Sequence, residues 1–380
     1  MSFNNYNLKE QWKYTNINNF KNFKFDFLSK DINIETQTDD IYIKNHNFTL
    51  SQNLNKSIIV KDLDKSIHSN EFNIKELLDK TSSSDLNPFI NKNKQHYKNG
   101  ILIHINDNSK IKNPIVIKCD MDENKQKSFL NTRIFFSIGR NVEAKILIND
   151  NINSICYLNT LVEMVIEESS NIKIVHLSQK SKTTQIYNFV CSINQNSSLN
   201  INPIDITGKF IKKNYFISLN GENSDINFNS LNLLSDNNHI DNYINIDHLN
   251  HHTYSSTKHK NILQGSSKSI FYAKSIINKN SYLCEAVQKN NNLLLSDKAV
   301  VHSNPQLEIY NNDVKCSHGS TTGEIDEEIL FYMQSRGLNK NECKKIILHG
   351  FANEITNLIK DKMIEKKANQ KIKKWLDHVS

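Results

Sequence analysis

The sequence predicts a mainly β protein whose centre is a β-solenoid, preceded by a mixed, partly helical segment and followed by helices. Three observations carry this. From Gly100 onward, short apolar or alternating runs at 101–105, 114–118, 133–138 and 144–148 sit between polar turns, and this texture persists to the neighbourhood of His318. Within it a unit recurs at 139–148, 168–177, 195–204 and 221–230: a turn of Gly, Asn or Ser, then apolar-x-apolar. The first apolar residues, Val142, Ile172, Leu199 and Ile226, are spaced by 30, 27 and 27. A near-constant period marks stacked units that bury their apolar faces on their neighbours. Third, the chain has 4 prolines in 380 residues, as strands internal to long sheets require, because proline cannot donate to the ladder. A sandwich or barrel also uses short strands, but rarely keeps a period over so many units.

Taken in order, residues 1–95 form the mixed segment. Leu8, Trp12 and Thr15 share a helical face, and Phe20, Phe23, Phe25 and Phe27 follow among polar residues. Residues 41–43 and 58–60 are short strand candidates, 72–78 reads as helix, and 85–89, with Asn87-Pro88, is a breaker before the apolar anchor Phe89. The solenoid is assigned to 96–319. Residues 320–380 are helical. Ile329, Leu330 and Met333 share a face with Gly337 just beyond, and Asn339 caps a second helix with Glu342 in capping-box position. An apolar stripe runs from Ile346 through Phe351, Ile355 and Leu358 to Ile359. The basic tail places Ile372, Trp375 and Leu376 on one side, as either a solvated helix end or a partner-docking helix.

Composition bounds the function. A chain of 380 residues holds two or three domains with a substantial core. The net charge is +7, but every basic residue except Arg133, Arg140 and Arg336 is lysine. Readers of nucleic acid favour arginine for its bidentate fork, so the charge reads as compositional bias, with no nucleic-acid partner. Cys119, Cys156, Cys191, Cys284, Cys316 and Cys343 are scattered without a Cys-x-x-Cys pair, which indicates free thiols in a reducing compartment. The first residues lack an apolar signal core, and no run reaches membrane-span length. The expectation is a cytoplasmic protein with no membrane association.

Chemistry concentrates near the strand-to-helix transition. Cys316 and His318 flank one residue, so an extended segment points both to the same face. Thiolate and imidazole suit iron or zinc. Two ligands do not close a metal site, so the spacing alone favours a packed cysteine beside an exposed histidine. The segment 239–259 supplies His239, His248, His251, His252 and His259, read mainly as polar residues of a solenoid rung. Cys284 and Cys343 read as core thiols, and Glu308, Asp313, Asp326 and Glu327 as turn and helix-start residues. No Walker A, GxGxxG or G-x-S-x-G sequence occurs, so any ATP chemistry belongs to a partner, and no catalytic residue is assigned.

The same stretch carries a resemblance. Leu307-Glu308-Ile309, the run Asp313 to Gly319, Thr322-Gly323, and Phe331-Tyr332-Met333 with Ser335-Arg336-Gly337 resemble the C-terminal signature of the SufB/SufD family of the SUF iron–sulfur cluster assembly machinery. Glu10 with Trp12-Lys13-Tyr14-Thr15 resembles its N-terminal motif. Asp247-His248, Ser255-Ser256, Ile262-Leu263 and Ser269-Ile270-Phe271 resemble its central segment. Gly319 stands where the SufB branch typically has Glu, and the early SufB cysteine motif is missing, so the SufD branch is the closer one.

The resemblance implies a right-handed parallel β-helix in a non-enzymatic scaffold. It implies pairing with a SufB-like paralogue, with a homodimer left open where SufB is missing. It also implies docking of a SufC-like ABC ATPase through the helices after Gly323. His318, with Cys316 less firmly, is implied to contribute to a nascent cluster shared at the SufB interface, with no cofactor bound by this chain alone; flavin is left open. The rival reading is a β-solenoid carbohydrate-active enzyme or binding protein. The scarcity of arginine, the lack of six-residue repeats and the lack of a signal peptide weigh against it.

Overall fold

The computed structural model describes residues 10–15, 26–27, 40–45, 47–81, 87–121, 128–152, 155–180, 182–206 and 208–379. Leu8, Phe20, Phe23, Phe25, Asp85 and Leu86 lie outside them. Two parallel sheets face each other across a shared interior, and the chain alternates between them. Sheet A stacks Ser128–Ile138, Cys156–Ile166, Thr184–Ile193, Phe210–Leu219, His239–His248, Lys268–Ile277 and Val300–Ile309. Sheet B stacks Glu143–Ile152, Asn171–Lys180, Ser198–Ile206, Asp225–Leu234, Tyr254–Leu263, Cys284–Leu294 and Val314–Gly323. The fold is therefore a parallel β-solenoid, as the periodicity predicts.

Register explains the repeat. On sheet B, Ala144, Ile172, Leu199 and Ile226 stack in one inward column. The sequence reading chose Val142 for the first unit; the true equivalent is Ala144, a weaker apolar signal two residues on. Before each strand one residue takes the left-handed conformation: Asn141, Ser169, Asn196 and Asn223, with φ of 53, 60, 56 and 56°. Each donates its N–H to a carbonyl of the following rung, at 2.9 Å for Asn141 to Glu168 and 2.9 Å for Asn196 to Glu222. Asparagine tolerates this conformation best among residues with a side chain, which is why the turn recurs as a polar signature. Leu283 occupies the same conformation on a late rung, with φ 54°.

The interior changes character along the axis. Ile146, Ile174, Ile201 and Phe228 fill it with Val162, Phe189 and Tyr215 of the facing sheet. Farther on, the inward positions become Thr257, His259 and Asn261, then Gln288, Asn290 and Asn292, all buried. Asn232 donates to Asn261 at 2.8 Å, and Asn261 to Asn292 at 2.6 Å, so this polar floor is tied together along the stack.

Strands Ile41–Lys44 and Ile58–Asp62 form where expected and already belong to the two sheets; Asn47–Leu50 pairs antiparallel with Ile41–Lys44, and Ile58–Asp62 with Ile101–Ile105, which finishes the first rungs. Helix α1 spans Leu63–Ser69 and α2 Ile74–Lys80; the helix read at 72–78 starts later because Phe72 and Asn73 are left-handed. The Asn87-Pro88 breaker starts helix α3, Pro88–His96, with Asn87 accepting from the N–H of Phe89. Trp12 packs with Ile186 and Phe89, and Tyr14 stacks on His302, so the segment 10–15 lies on the outer face of sheet A.

After the last strand come α4, Glu327–Ser335, α5, Lys340–Thr356, and α6, Lys362–Val379, with the expected capping box at Asn339 and Glu342. The basic tail is neither a solvated end nor a free docking helix. Ile372, Trp375 and Leu376 join Leu348, Ala352 and Ile355 against the outward column Leu147, Val175, Leu177 and Ile204 of sheet B. Burying each such side chain contributes roughly 1.5–3 kcal/mol, which binds the tail to the solenoid.

Candidate functional site at the open last rung

Strands Val300–Ile309 and Val314–Gly323 end their sheets, with no further strand on them among the described residues. On the second, Cys316 packs against Cys284, Ala286 and Ile277, and Ser320 reaches Asn290 at 3.2 Å and Ser303 of the facing strand at 2.8 Å. Both therefore point into the solenoid, and alternation places His318 between them on the same inner face. The sequence brings the thiol and imidazole onto one face; the structure puts that face at the open end of the solenoid. Their Cα atoms stand about 6.5 Å apart along the strand, so one ion or small cluster spans both.

Cys316 is half-buried and His318 is exposed. Burial pushes the Cys316 thiol up, so it rests protonated, and binding a metal would have to release that proton. His318 makes no hydrogen bond to a described residue. No group of three or more His, Cys, Asp or Glu side chains converges around a metal-sized space among the described residues. Two donors at an open rim are half of what a tetrahedral metal site needs, so among the described residues this chain closes no such site.

The remaining candidates disperse. His248 is buried between Thr253 at 2.7 Å and Ser255 at 2.8 Å, and His259 contacts Ser230, Asn232 and Asn261 and stacks on Phe271. His251 stacks on Tyr282, and His239 packs on Phe210. Cys284 and Cys343 are buried. Glu308 pairs with Lys274, and Asp326 caps α4, so the carboxylates form no site.

The helices differ from the sequence reading in one respect. Of the face assigned to Ile329, Leu330 and Met333, only Leu330 is buried; Ile329 is 48%, Phe331 75% and Tyr332 60% exposed, with Ile346 of α5 also exposed. The exposed aromatic pair Phe331-Tyr332 was legible only as motif residues. A second apolar patch, Leu249, Tyr282, Leu283, Ile309 and Tyr310, lies on successive turns beside the open rung and gave no sequence signal except Leu283, where the preceding rungs use Asn, Ser or, at His252, His.

A two-sheet parallel solenoid with an appended helical unit defines the parallel β-helix class. Within it the chain belongs to the family described as SUF system FeS cluster assembly, SufBD core domain, whose model matches residues 121–351, including the rim and α4. It is similar to the iron–sulfur cluster assembly protein SufD of Escherichia coli, 34% identical over 165 residues, 43% of this chain and 39% of that protein. A SufBD family protein of Synechocystis is 37% identical over 112 residues, 29% of this chain and 25% of the relative. The chloroplastic protein ABCI7 of Arabidopsis thaliana is 23% identical over 285 residues, 72% and 60% of the two chains. The matched regions thus span less than two thirds of each relative. No helix among the described residues is long and apolar enough to cross a membrane.

Proposed function

We propose that the chain is a SufD-like scaffold subunit in iron–sulfur cluster assembly, cytoplasmic and without catalytic chemistry of its own. A SufB-like paralogue pairs with the open last rung, a second copy taking that place where the paralogue is missing. A SufC-like ABC ATPase docks on the exposed face of α4. The nascent cluster is cargo, formed at the shared rim with His318 and Cys316 as this chain's donors, and no cofactor is held by the chain alone.

The observation that carries this is the rim itself: two unpaired edge strands presenting a thiol and an imidazole above a floor of buried, mutually bonded amides. Only Glu324, Ile325 and Asp326 separate the last strand from α4, so a partner that shifts α4 pulls directly on the strand carrying His318. This is a hinge-type coupling between the ATPase and the rim.

The test is co-expression with SufB-like and SufC-like proteins from the same genome, purified anaerobically on a tag carried by this chain. Both partners co-elute with iron and sulfide, which fall in His318→Ala. If the partners co-elute and iron is unaffected, the ligand role is wrong; if neither co-elutes, the scaffold reading is wrong.

A further inference from the structure

On the rung directly beneath His318, the hydrogen bonding of one side-chain amide is incomplete. Gln288 lies in register with His318 on the adjacent strand, on the inner face, and is buried. Its Nε2 donates to Ser275 Oγ at 2.9 Å and to the backbone carbonyl of Gln306 at 3.1 Å. A carbonyl only accepts, so this contact fixes which end of the amide is nitrogen. Both amide hydrogens are thereby used, and Oε1 has no hydrogen-bond partner among the described residues. Gln306 belongs to the last strand of sheet A, so the carboxamide reaches up to the rung on which His318 stands.

The neighbours on this floor are unsuited to the same task. Ala286, beneath Cys316, has no polar side-chain atom, and Asn290 Oδ1 already accepts from Ser320 at 3.2 Å. His318 meanwhile is exposed and free to turn about its side-chain torsions. A buried acceptor without a donor thus sits directly below an imidazole without an acceptor.

We propose that Gln288 is a positioning residue for His318: Oε1 accepts one ring N–H when the imidazole folds in over the rim. That bond fixes the tautomer and leaves the lone pair of the other ring nitrogen for ferrous iron or a nascent cluster. Ligand histidines are generally held through their second nitrogen in this way, which orients the ring and raises its basicity. The inference rests on the reading of His318 as a ligand.

The test measures retention of ferrous iron against a competing chelator by the anaerobically purified complex containing this chain. Gln288→Leu keeps the volume and removes the acceptor, and retention falls about 10-fold. Gln288→Glu loses the donations to Ser275 and Gln306 but keeps a stronger acceptor for the imidazole, and retention stays at the parent level or rises. A purely structural glutamine gives the opposite pattern, because both variants lose the same two donations and fall together with the melting temperature. That joint fall overturns the proposal. So does unchanged retention in Gln288→Leu while His318→Ala loses iron, which leaves the ligand reading standing. Full retention in His318→Ala removes the ligand reading and this inference with it.

Discussion

Arg133 Nε lies 2.7 Å from Glu163 Oε2, and both side chains are buried on the outer face of sheet A. The other carboxylate oxygen is 3.2 Å from Lys94 Nζ on α3, and the Arg133 guanidinium lies over the Tyr97 ring. One carboxylate thus joins two solenoid rungs to the N-terminal helix. Removing one member of a buried pair strands the other charge, so Glu163→Ala costs about 3–5 kcal/mol. Arg133→Met combined with Glu163→Leu costs much less, because neither charge remains. Urea unfolding midpoints of the three variants check this, and a double variant worse than the single would refute it.

The buried histidines set an acid limit. Burial presses His248 down to about 4 and His259 down to about 3, against about 6.5 in an unfolded chain. Below pH 6.5 the unfolded chain takes up protons that the fold refuses. Stability is therefore unaffected above that value, falls as the pH drops toward the folded values, and levels off below them. At about 1.4 kcal/mol per pKa unit, each histidine costs about 2 kcal/mol by pH 5. Denaturant midpoints at pH 7.5 and 5 measure the loss, to which His239, likewise held down to about 4, also contributes, and His259→Asn reduces it by about 2 kcal/mol. An unchanged loss in that variant argues that other groups cause it.

What was legible depended on whether neighbours or rung position decided a residue's role. The turn ladder of Asn141, Ser169, Asn196 and Asn223 showed because one backbone conformation selects one residue class at each repeat. Cys316 and His318 showed as a same-face pair because alternation is local. That their face is an open mouth did not show, since it depends on which strand comes last. Asn290, Asn291 and Asn292 resemble a loop in sequence but lie within the strand Cys284–Leu294, where Asn290 and Asn292 find partners in adjacent rungs. The tail's apolar side was visible in Ile372 and Trp375, yet its partner, the outward column of sheet B, is distributed over five strands, at Leu147, Val175, Ile204, Leu231 and Ile262.

Leu283 departs from that ladder. It holds φ 54° with its side chain 47% exposed, and it donates its N–H to Asp313 at 2.7 Å. A left-handed conformation costs a leucine roughly 1–2 kcal/mol, much of which asparagine avoids. Leu283→Asn therefore raises the melting temperature of the isolated chain, by an amount equivalent to about 1 kcal/mol. A lower melting temperature would mean that the leucine contributes packing that outweighs its backbone strain.

Phe331 and His318 separate the two surfaces of the proposed scaffold. Phe331 is 75% exposed on α4, while Leu330 beside it anchors the helix, so Phe331→Asp leaves the fold intact, within about 0.5 kcal/mol by urea unfolding. A charge at the centre of an apolar docking face blocks association, and the ABC ATPase no longer co-purifies with the tagged chain. The β-helix partner, held at the far edge of the linker, still does. His318→Ala gives the reverse: both partners remain and iron is lost. If Phe331→Asp retains the ATPase at parent stoichiometry, the docking face lies elsewhere on the helices, and the coupling from α4 to the rim loses its basis.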